Sequence, residues 1–318
     1  MAANSSTHSE SIPTGSPIAN SGIELSVCIV AYQAKDYLRA CLDSLLENTH
    51  QTSFEVIVVN NGSSDGTHEM LATSFSQVIL IENEKNLGYT RPMNQALRGS
   101  HGKFLLQLNP DTIVLPSALD LLVNFMQEHA SVGICGPKVL NQNGTLQGPC
   151  KRGEARPWAV ISYYLGLSRL FPKSKLFGGY LLNYLDEDAT NPVAGVSGSC
   201  MIIRREVVNQ INYLDENYFA FQEDADFCFR SRQAGWEVYY YPEAKIIHYG
   251  GQGGSRVEPY RSILEWHRSY FLFYRKHLAK DYFFLFNWIY YLVMIVKLGL
   301  TLLVNLFLKE KSVGPKRV

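Results

Sequence analysis

The stretch LSVCIVAYQAKDYLRACLDSLLENTHQTSFEVIVVNNGSSDGT, residues 25–67, decides the fold. It opens with an apolar run, 25–32, of strand length and rich in β-branched residues, which suits a strand buried on both faces. The period then changes. Over 36–48, Leu38, Cys41, Leu42, Leu45 and Leu46 fall on one side of a helix. FEVIVVN (54–60) repeats the strand pattern, and SQVILIEN (76–83) and KFLLQLN (103–109) repeat it again, with room for short helices between them. Strands alternating with helices predict an α/β fold with a mostly parallel, doubly wound sheet. In such sheets ligands sit beyond the carboxyl ends of the strands.

Those ends carry Tyr32, NNGSSDGT (60–67), NEKNLG (83–88) and NPDT (109–112), all polar and turn-rich. Downstream, VSGSCMIIRREVV (196–208) predicts a strand running into a helix, and FQEDADFCFRSRQAG (221–235) a helix ended by Gly235. WEVYYYP (236–242) and AKIIHYG (244–250) read as a pair of strands. Between about 141 and 192 the chain is irregular and rich in aromatic residues.

Composition bounds what such a fold can do. A chain of 318 residues holds one large α/β domain of roughly 250 residues plus an appendage. Hydrophobic residues make up 46% and charged residues only 18%, a low charge content for a freely soluble enzyme. Lys+Arg and Asp+Glu both number 29, so no net charge recommends nucleic acid as a partner. The six cysteines show no CxxC pair and read as reduced, mostly buried thiols. Residues 1–22 lack the basic start and apolar core of a secretory signal, and their Ser, Thr, Asn and Pro content predicts a disordered lead.

The C-terminal region differs in kind. Residues 282–308 are almost entirely apolar and long enough to span a bilayer, although Lys297 near the middle costs about 2.5–3.5 kcal/mol on insertion. Asn287 and Asn305 share a helical face, with Lys297 roughly 80° away. That narrow polar stripe and the flanking Arg275, Lys276, Lys280, Lys309 and Lys311 fit an interfacial, monotopic helix. A spanning helix and a buried soluble or dimer helix are the alternatives.

Three clusters carry chemistry. Asp111, in NPD at a strand end, faces the ligand crevice, where a hard divalent cation would neutralise a leaving diphosphate; an Asn-Pro-Asp turn is the plain alternative. Glu223, Asp224 and Asp226 sit at a helix N-terminus, where acids complement the dipole. They also lie beside Phe219, Phe221 and Phe227, surroundings that raise a carboxylate toward what a general base needs. His248 ends a strand before Gly250, Gly251, Gly253 and Gly254. It is either structural or a ligand completing a metal site with Asp111. Arg256 stands where the third glycine of GxGxxG is needed, so no dinucleotide fingerprint is present, and no P-loop occurs; a mobile flap fits the glycines better.

In order along the chain, SVCIVAY, VIVVNNGSSDGT, NLGYTRPMNQAL, LLQLNPDTIVLP, GSCMIIRREVV, FQEDADFCFRSRQAGW and KIIHYGGQ resemble a family 2 glycosyltransferase of the GT-A fold, within its rhamnosyltransferase-like branch that builds bacterial surface polysaccharides. The resemblance runs from about Leu25 to Ser255. It implies a donor site for a nucleotide-diphosphate sugar formed by Ala31, Tyr32, Asn60, Asn61, Asp65, Asn86, Gly88, Arg91, Asn109 and Asp111. Within it Asp111 matches the last position of the DxD motif and, with His248, would hold a divalent metal, Mg2+ or Mn2+. Asp224 matches the catalytic base of a Glu-Asp motif that includes Glu223, and Gly198, Trp158 and Asp226 fall on the acceptor side. Asn60 and Asn109 depart from the family, which has acids at both positions; an asparagine carbonyl still accepts a bond from a pyrimidine N3–H.

The implied reaction is an inverting single displacement on a nucleotide-sugar, with rhamnose from its thymidine-diphosphate carrier as the leading donor. The aromatic stretch 158–184 suits an acceptor glycan. Together with the basic tail it suggests a lipid-linked acceptor at the cytoplasmic face of the cell membrane, its inner leaflet. The expected division is a GT-A domain over 23–257, with a nucleotide-sugar half (23–112) and an acceptor and catalytic half (113–257), followed by a helical membrane-associating region (258–318). A nucleotide-sugar pyrophosphorylase is the rival enzyme, but YQAKDYL stands where its glycine-rich loop belongs. A non-catalytic sugar-binding or scaffold protein of the same fold is the rival from outside enzymology.

Overall fold

The computed structural model of the protein describes residues 22–308. The lead expected over 1–22 therefore lies, Gly22 apart, outside the described residues, as do Lys309 and Lys311. Strand β1 (Leu25–Ala31) is buried at every position, the physical reason for its unbroken apolar run. Helix α1 (Lys35–Asn48) buries Leu38, Cys41, Leu42 and Leu45 against the sheet and leaves Leu46 exposed. The alternation continues through β2 (Phe54–Asn61), α2 (Thr67–Ser74), β3 (Ile79–Asn83), α3 (Thr90–Arg98) and β4 (Phe104–Leu108). Next come β5 (Thr112–Val114), α4 (Ala118–Glu128), β6 (Val132–Leu140) and α5 (Pro157–Tyr164). Then follow β7 (Cys200–Arg204), α6 (Arg205–Ile211), α7 (Glu223–Gln233) and β8 (Glu237–His248). Two long helices close the described chain, α8 (Pro259–Phe273) and α9 (Phe284–Phe307).

The main sheet runs β3-β2-β1-β4-β7-β6-β8-β5. Its first four strands are parallel, with Leu25 opposite both Phe54 and Phe104. Strand β7 is antiparallel to β4 and β6, while β6 and β8 are parallel to each other. The chain leaves β1 toward β2 on one side and returns to β4 on the other, so a crevice opens at the carboxyl end of β1. That end and the end of β4 bring Tyr32 and 109–111 together.

The structure corrects the sequence reading in three places. Within 236–250, expected as two strands, the chain forms the single strand β8 (Glu237–His248), which passes through Pro242. Proline cannot donate to a ladder; here it sits in a register shift between Tyr241, opposite Pro137, and Lys245, opposite Lys138. Residues 132–140, left unassigned, are the central strand β6. Strand β3 starts at Ile79, later than its apolar pattern, because it is the sheet edge and Ile79 is exposed. The cysteines, all free and buried, match the expectation of reduced core thiols.

Helix α9 reverses the usual arrangement of an amphipathic helix. Asn305 is buried, Asn287 Nδ2 donates to the Ala279 carbonyl at 2.9 Å, and Lys297 Nζ donates to His267 Nε2 on α8 at 3.0 Å. The polar stripe thus faces the protein. Outward point Phe284, Trp288, Leu292, Ile295, Leu303 and Phe307, each more than half exposed. A helix of this length spans about 36 Å, and each such side chain left in water forgoes about 1.5–3 kcal/mol of burial. Among the described residues it is the one helix long and apolar enough to cross a membrane.

Candidate active site

A cleft of about 1130 Å³ opens over the carboxyl ends of β1 and β4. At the end beyond β2 Asn61 is a hub: its Nδ2 donates to the Gly88 carbonyl at 2.7 Å and to Asn86 Oδ1 at 3.0 Å, while its Oδ1 accepts from the Leu87 amide at 3.1 Å. These bonds fold 86–88 against the end of β2. Gly88 has φ +90°, and a Cβ there would lie 2.4 Å from the Phe219 carbonyl oxygen, so only glycine lets the 86–88 turn meet the loop that precedes α7.

The chain crosses this end again after β8. Gln252 donates its amide to Asp111 Oδ2 at 3.2 Å, and Tyr37 donates to Gln252 Oε1 at 3.1 Å. Glu258 Oε1 accepts from the Tyr32 hydroxyl at 2.9 Å and from Asn86 Nδ2 at 3.1 Å. The glycine-rich segment 250–254 is therefore laid over Asp111 and fastened at its far end by Glu258.

At the floor, Asp111 and His248 are both buried, and Asp111 Oδ1 lies 3.1 Å from His248 Nε2. Asn109 Nδ2 is 3.2 Å from the same nitrogen. A carboxylate oxygen and an imidazole nitrogen converging on one point are the oxygen and nitrogen donors that a borderline divalent cation such as Mn2+ accepts. Asp111 and His248 would hold such a cation through two protein donors. Among the described residues no cluster of three His, Cys, Asp or Glu adds further ligands.

The opposite wall, at the start of α7, is built by a strained turn. Phe221 and Gln222 both adopt left-handed backbone, φ +67° and +63°, immediately before α7, a conformation that costs non-glycine residues energy and collects at functional sites. It delivers Glu223 and Asp224 to the cleft wall. Asp224 Oδ2 accepts from Arg152 at 2.7 Å and from the Gly198 amide at 2.8 Å, and Oδ1 from the Ala225 amide at 2.7 Å. Gly198 packs closely here: a Cβ would lie 2.5 Å from Gln107 Nε2, so that amide would have to move to admit a side chain. Glu223 is buried beside it with Oε2 unpartnered; burial first, then the Asp224 charge, push its carboxyl well above the usual range.

Of the residues singled out in the sequence, Tyr32, Asn61, Asn86, Gly88, Asn109, Asp111, Gly198, Glu223, Asp224 and His248 line this one cleft. Others do not reach it. Ala31 is buried in β1 between Val30 and Tyr32, which do line it. Asn60 donates to Glu82 at 2.9 Å, and Asp65 caps neighbouring turns, accepting from the Lys35 amide at 2.9 Å and the Thr67 hydroxyl at 2.6 Å. Arg91 pairs with Glu216 on the surface at 3.7 Å, and Trp158 donates to the Leu176 carbonyl at 3.1 Å. Asp226 points away from the cleft. It is fully buried among Arg230 (2.7 Å), Lys276 (2.6 Å) and His277 (2.7 Å), and although burial opposes it, these partners hold its carboxyl down at about 2. It ties α7 to the turn after α8.

The sequence reading passed over Gln147, Arg152 and Glu258. They are isolated polar residues in irregular or flanking segments, and no local pattern marks them. At the far end the cleft is walled by Tyr163, Tyr164, Tyr180, Trp266 and Tyr270, and Arg169, Arg256 and Arg261 also face it.

A crevice at the β1 switch point, an aspartate and histidine under a glycine-rich segment, and a buried Glu-Asp pair at a helix start lie in an α/β sheet of the GT-A type. Residues 26–211 match the family model Glycosyl transferase family 2, and 180–308 match Glycosyl transferase family group 2. The chain belongs to glycosyl transferase family 2, and it is a glycosyltransferase. It is 27% identical over 260 residues, 78% of this chain and 83% of the relative, to an N-acetylglucosaminyl-diphospho-decaprenol L-rhamnosyltransferase of Mycobacterium tuberculosis. The fold is that of a mannosyltransferase from Pyrobaculum calidifontis in complex with GDP-Man and Mn2+, with TM-score 0.52, 15% identity, and coverage of 82% of this chain and 66% of that one. GalNAc-T7 with UDP, GalNAc and Mn2+ aligns with TM-score 0.53 and 15% identity over 72% of this chain and 44% of that one.

Proposed function

We propose that the protein transfers a sugar, with rhamnose from dTDP-rhamnose as the leading donor, to a hydroxyl of a lipid-linked glycan at the cytoplasmic face of the cell membrane, with inversion at the anomeric carbon. The observation that carries this reading is that Asp111 and His248 share one cleft with Asp224, so a diphosphate group and an acceptor hydroxyl fit side by side. The similarity to a rhamnosyltransferase whose name specifies a lipid-diphosphate acceptor supports the donor and the acceptor class. The outward apolar face of α9 supports membrane association.

Asn61, Asn86 and Tyr32 would hold the nucleoside, and Glu258 and the 250–254 segment would close over it, excluding water from the bond to be broken. Asp111 and His248 would hold a divalent cation, which when bound neutralises the charge of the leaving diphosphate. Arg152 and the Gly198 and Ala225 amides fix the Asp224 carboxylate at the cleft wall and leave Oδ1 one lone pair to accept a proton. Asp224 then takes the acceptor hydroxyl proton as that oxygen bonds to the anomeric carbon. The bond from the anomeric carbon to the diphosphate oxygen breaks, and the nucleoside diphosphate leaves from the opposite face. The tyrosines and Trp266 beyond Arg152 would stack on the acceptor sugar.

The test is a thermal-unfolding screen of the full chain with dTDP-rhamnose, UDP-glucose, UDP-galactose and GDP-mannose, each with Mg2+, Mn2+ or EDTA. Preferential binding to the folded state raises the melting temperature. A metal-dependent rise with one donor is the expected result; no rise with any donor overturns the reading.

A further inference from the structure

We infer that Gln147 is a positioning residue for the metal site, fixing His248 in the tautomer that presents a lone pair beside Asp111. The inference deepens the function proposed above and rests on it.

The argument starts from the fold. Strand β6 ends opposite β8, with Leu140 paired to Ile247. A tight reversal follows, the Asn141 amide donating to the Thr145 carbonyl at 2.8 Å and Gly144 supplying φ +80°. Leu146 bridges back to Leu140, and the Gln147 amide donates to the Val139 carbonyl at 2.8 Å. The hairpin thus returns Gln147, buried, alongside His248.

The hydrogen-bond directions are then forced in sequence. Asn141 Nδ2 faces the Leu146 carbonyl at 3.4 Å, and a carbonyl only accepts, so Asn141 Oδ1 is the atom turned to Gln147. Gln147 Nε2 donates to that Oδ1 at 3.1 Å and to the His248 carbonyl at 3.3 Å. Its Oε1 must therefore be the atom 2.8 Å from His248 Nδ1. An amide oxygen cannot donate, so the Nδ1 proton belongs to histidine, and Nε2 is the nitrogen left to offer its lone pair to a metal. Nε2 is the nitrogen 3.1 Å from Asp111 Oδ1. Histidines that bind metals are commonly oriented in this way by a partner on the other ring nitrogen, and loss of that partner weakens metal binding 10–100-fold.

The experiment follows Mn2+ binding by loss of the free-ion electron paramagnetic resonance signal, with the full chain and dTDP, UDP or GDP present. Gln147→Leu removes the acceptor, and the apparent affinity for Mn2+ is expected to fall 10–100-fold. Gln147→Glu keeps an oxygen on Nδ1 and is expected to hold affinity within about threefold of wild type or to tighten it. Wild-type affinity in Gln147→Leu overturns the inference, and so does a tenfold loss in Gln147→Glu, a variant that remains informative if the leucine variant fails to fold. Asp111→Ala serves as the control that loses the ion. If the wild-type chain binds nucleoside diphosphate but no Mn2+, the metal site and this inference fall while the donor site stands; if it binds neither, the proposed function falls with them.

Discussion

Arg152 Nη2 donates to Asp224 Oδ2 across 2.7 Å, with both side chains nearly buried. A carboxylate held by a guanidinium is aimed by it, so the contribution of Arg152 comes through position. Asp224→Asn keeps an oxygen for Arg152 and the Gly198 amide but cannot take a proton. General base catalysis contributes roughly 10²–10⁴-fold. Transfer measured with radiolabelled donor is expected to fall by that factor, while donor binding in the thermal-unfolding assay stays near wild type. Activity surviving within about tenfold removes the base assignment. Arg152→Leu is expected to lose both activity and stability, because it leaves a buried carboxylate uncompensated at a cost of about 3–5 kcal/mol.

Glu223 gives a signed pH dependence. Its carboxyl is raised above the unfolded value, so the folded state binds the proton more tightly than the unfolded chain. That contribution is complete below the unfolded pKa and is lost as pH rises through the raised folded value. The melting temperature of the wild-type protein is therefore expected to decline as pH rises from the ordinary value of 4.5 toward about 8, and to level off above that. Glu223→Gln, which mimics the protonated acid, is expected to flatten that decline. Parallel melting curves for the two proteins from pH 6 to pH 9 would show that Glu223 is ionised throughout.

How much of this was legible in the sequence depends on where the interactions lie. The parallel half of the sheet was readable because its inner strands β1 and β4 are buried on both faces and, like most of β2, show as apolar runs. Strand β8 was split because Pro242 ordinarily stops a strand, and the bulge that tolerates it is a property of its pairing with β6. Asp111, Asp224 and His248 stood out as acids and a histidine at element ends. Gln147, Arg152 and Glu258 did not, since their partners lie 101, 72 and 226 residues away along the chain. Asp226 misled for the opposite reason. It adjoins the Glu-Asp pair in sequence, yet the helix turns it to the far side, onto Lys276 and His277.

Asp226 therefore bears on stability rather than on transfer. Its carboxyl is held near 2, against an ordinary value near 4, which corresponds to about 2–3 kcal/mol favouring the folded state. The depressed value means that this stability is present above the unfolded pKa and is lost as pH falls toward 2. Asp226→Asn is expected to lower stability at pH 7 by about that amount in urea unfolding, with the difference from wild type shrinking below pH 4. Donor binding at 25 °C is expected to persist. A variant as stable as wild type at pH 7 would show that Arg230, Lys276 and His277 find equal partners without the carboxylate.

Lys297 explains why a cation interrupts an otherwise apolar helix. Its Nζ lies 4.1 Å from the centre of the Trp266 ring and 5.0 Å from that of Tyr164, and it donates to His267 Nε2. Burial, together with the Lys297 charge, holds His267 down at about 4, so its ring stays neutral and accepts, while Nδ1 donates to the Ile263 carbonyl at 2.8 Å. Trp266 and Tyr164 also wall the aromatic end of the cleft, so α9 braces that wall directly. Lys297→Met makes the helix more apolar and is expected to leave the protein in the membrane fraction. It removes two cation–π contacts, each worth about 0.5–2 kcal/mol, and is expected to raise the KM for a synthetic prenyl-diphosphate N-acetylglucosamine acceptor several-fold with the donor KM unchanged. Lys297→Arg, which keeps the contact with the rings, is expected to restore most of the loss. Equal acceptor and donor KM values in the methionine variant and wild type would confine α9 to anchoring. A shift of both constants together, with a lower melting temperature, would mean that Lys297 holds the two helices together and has no special bearing on the acceptor.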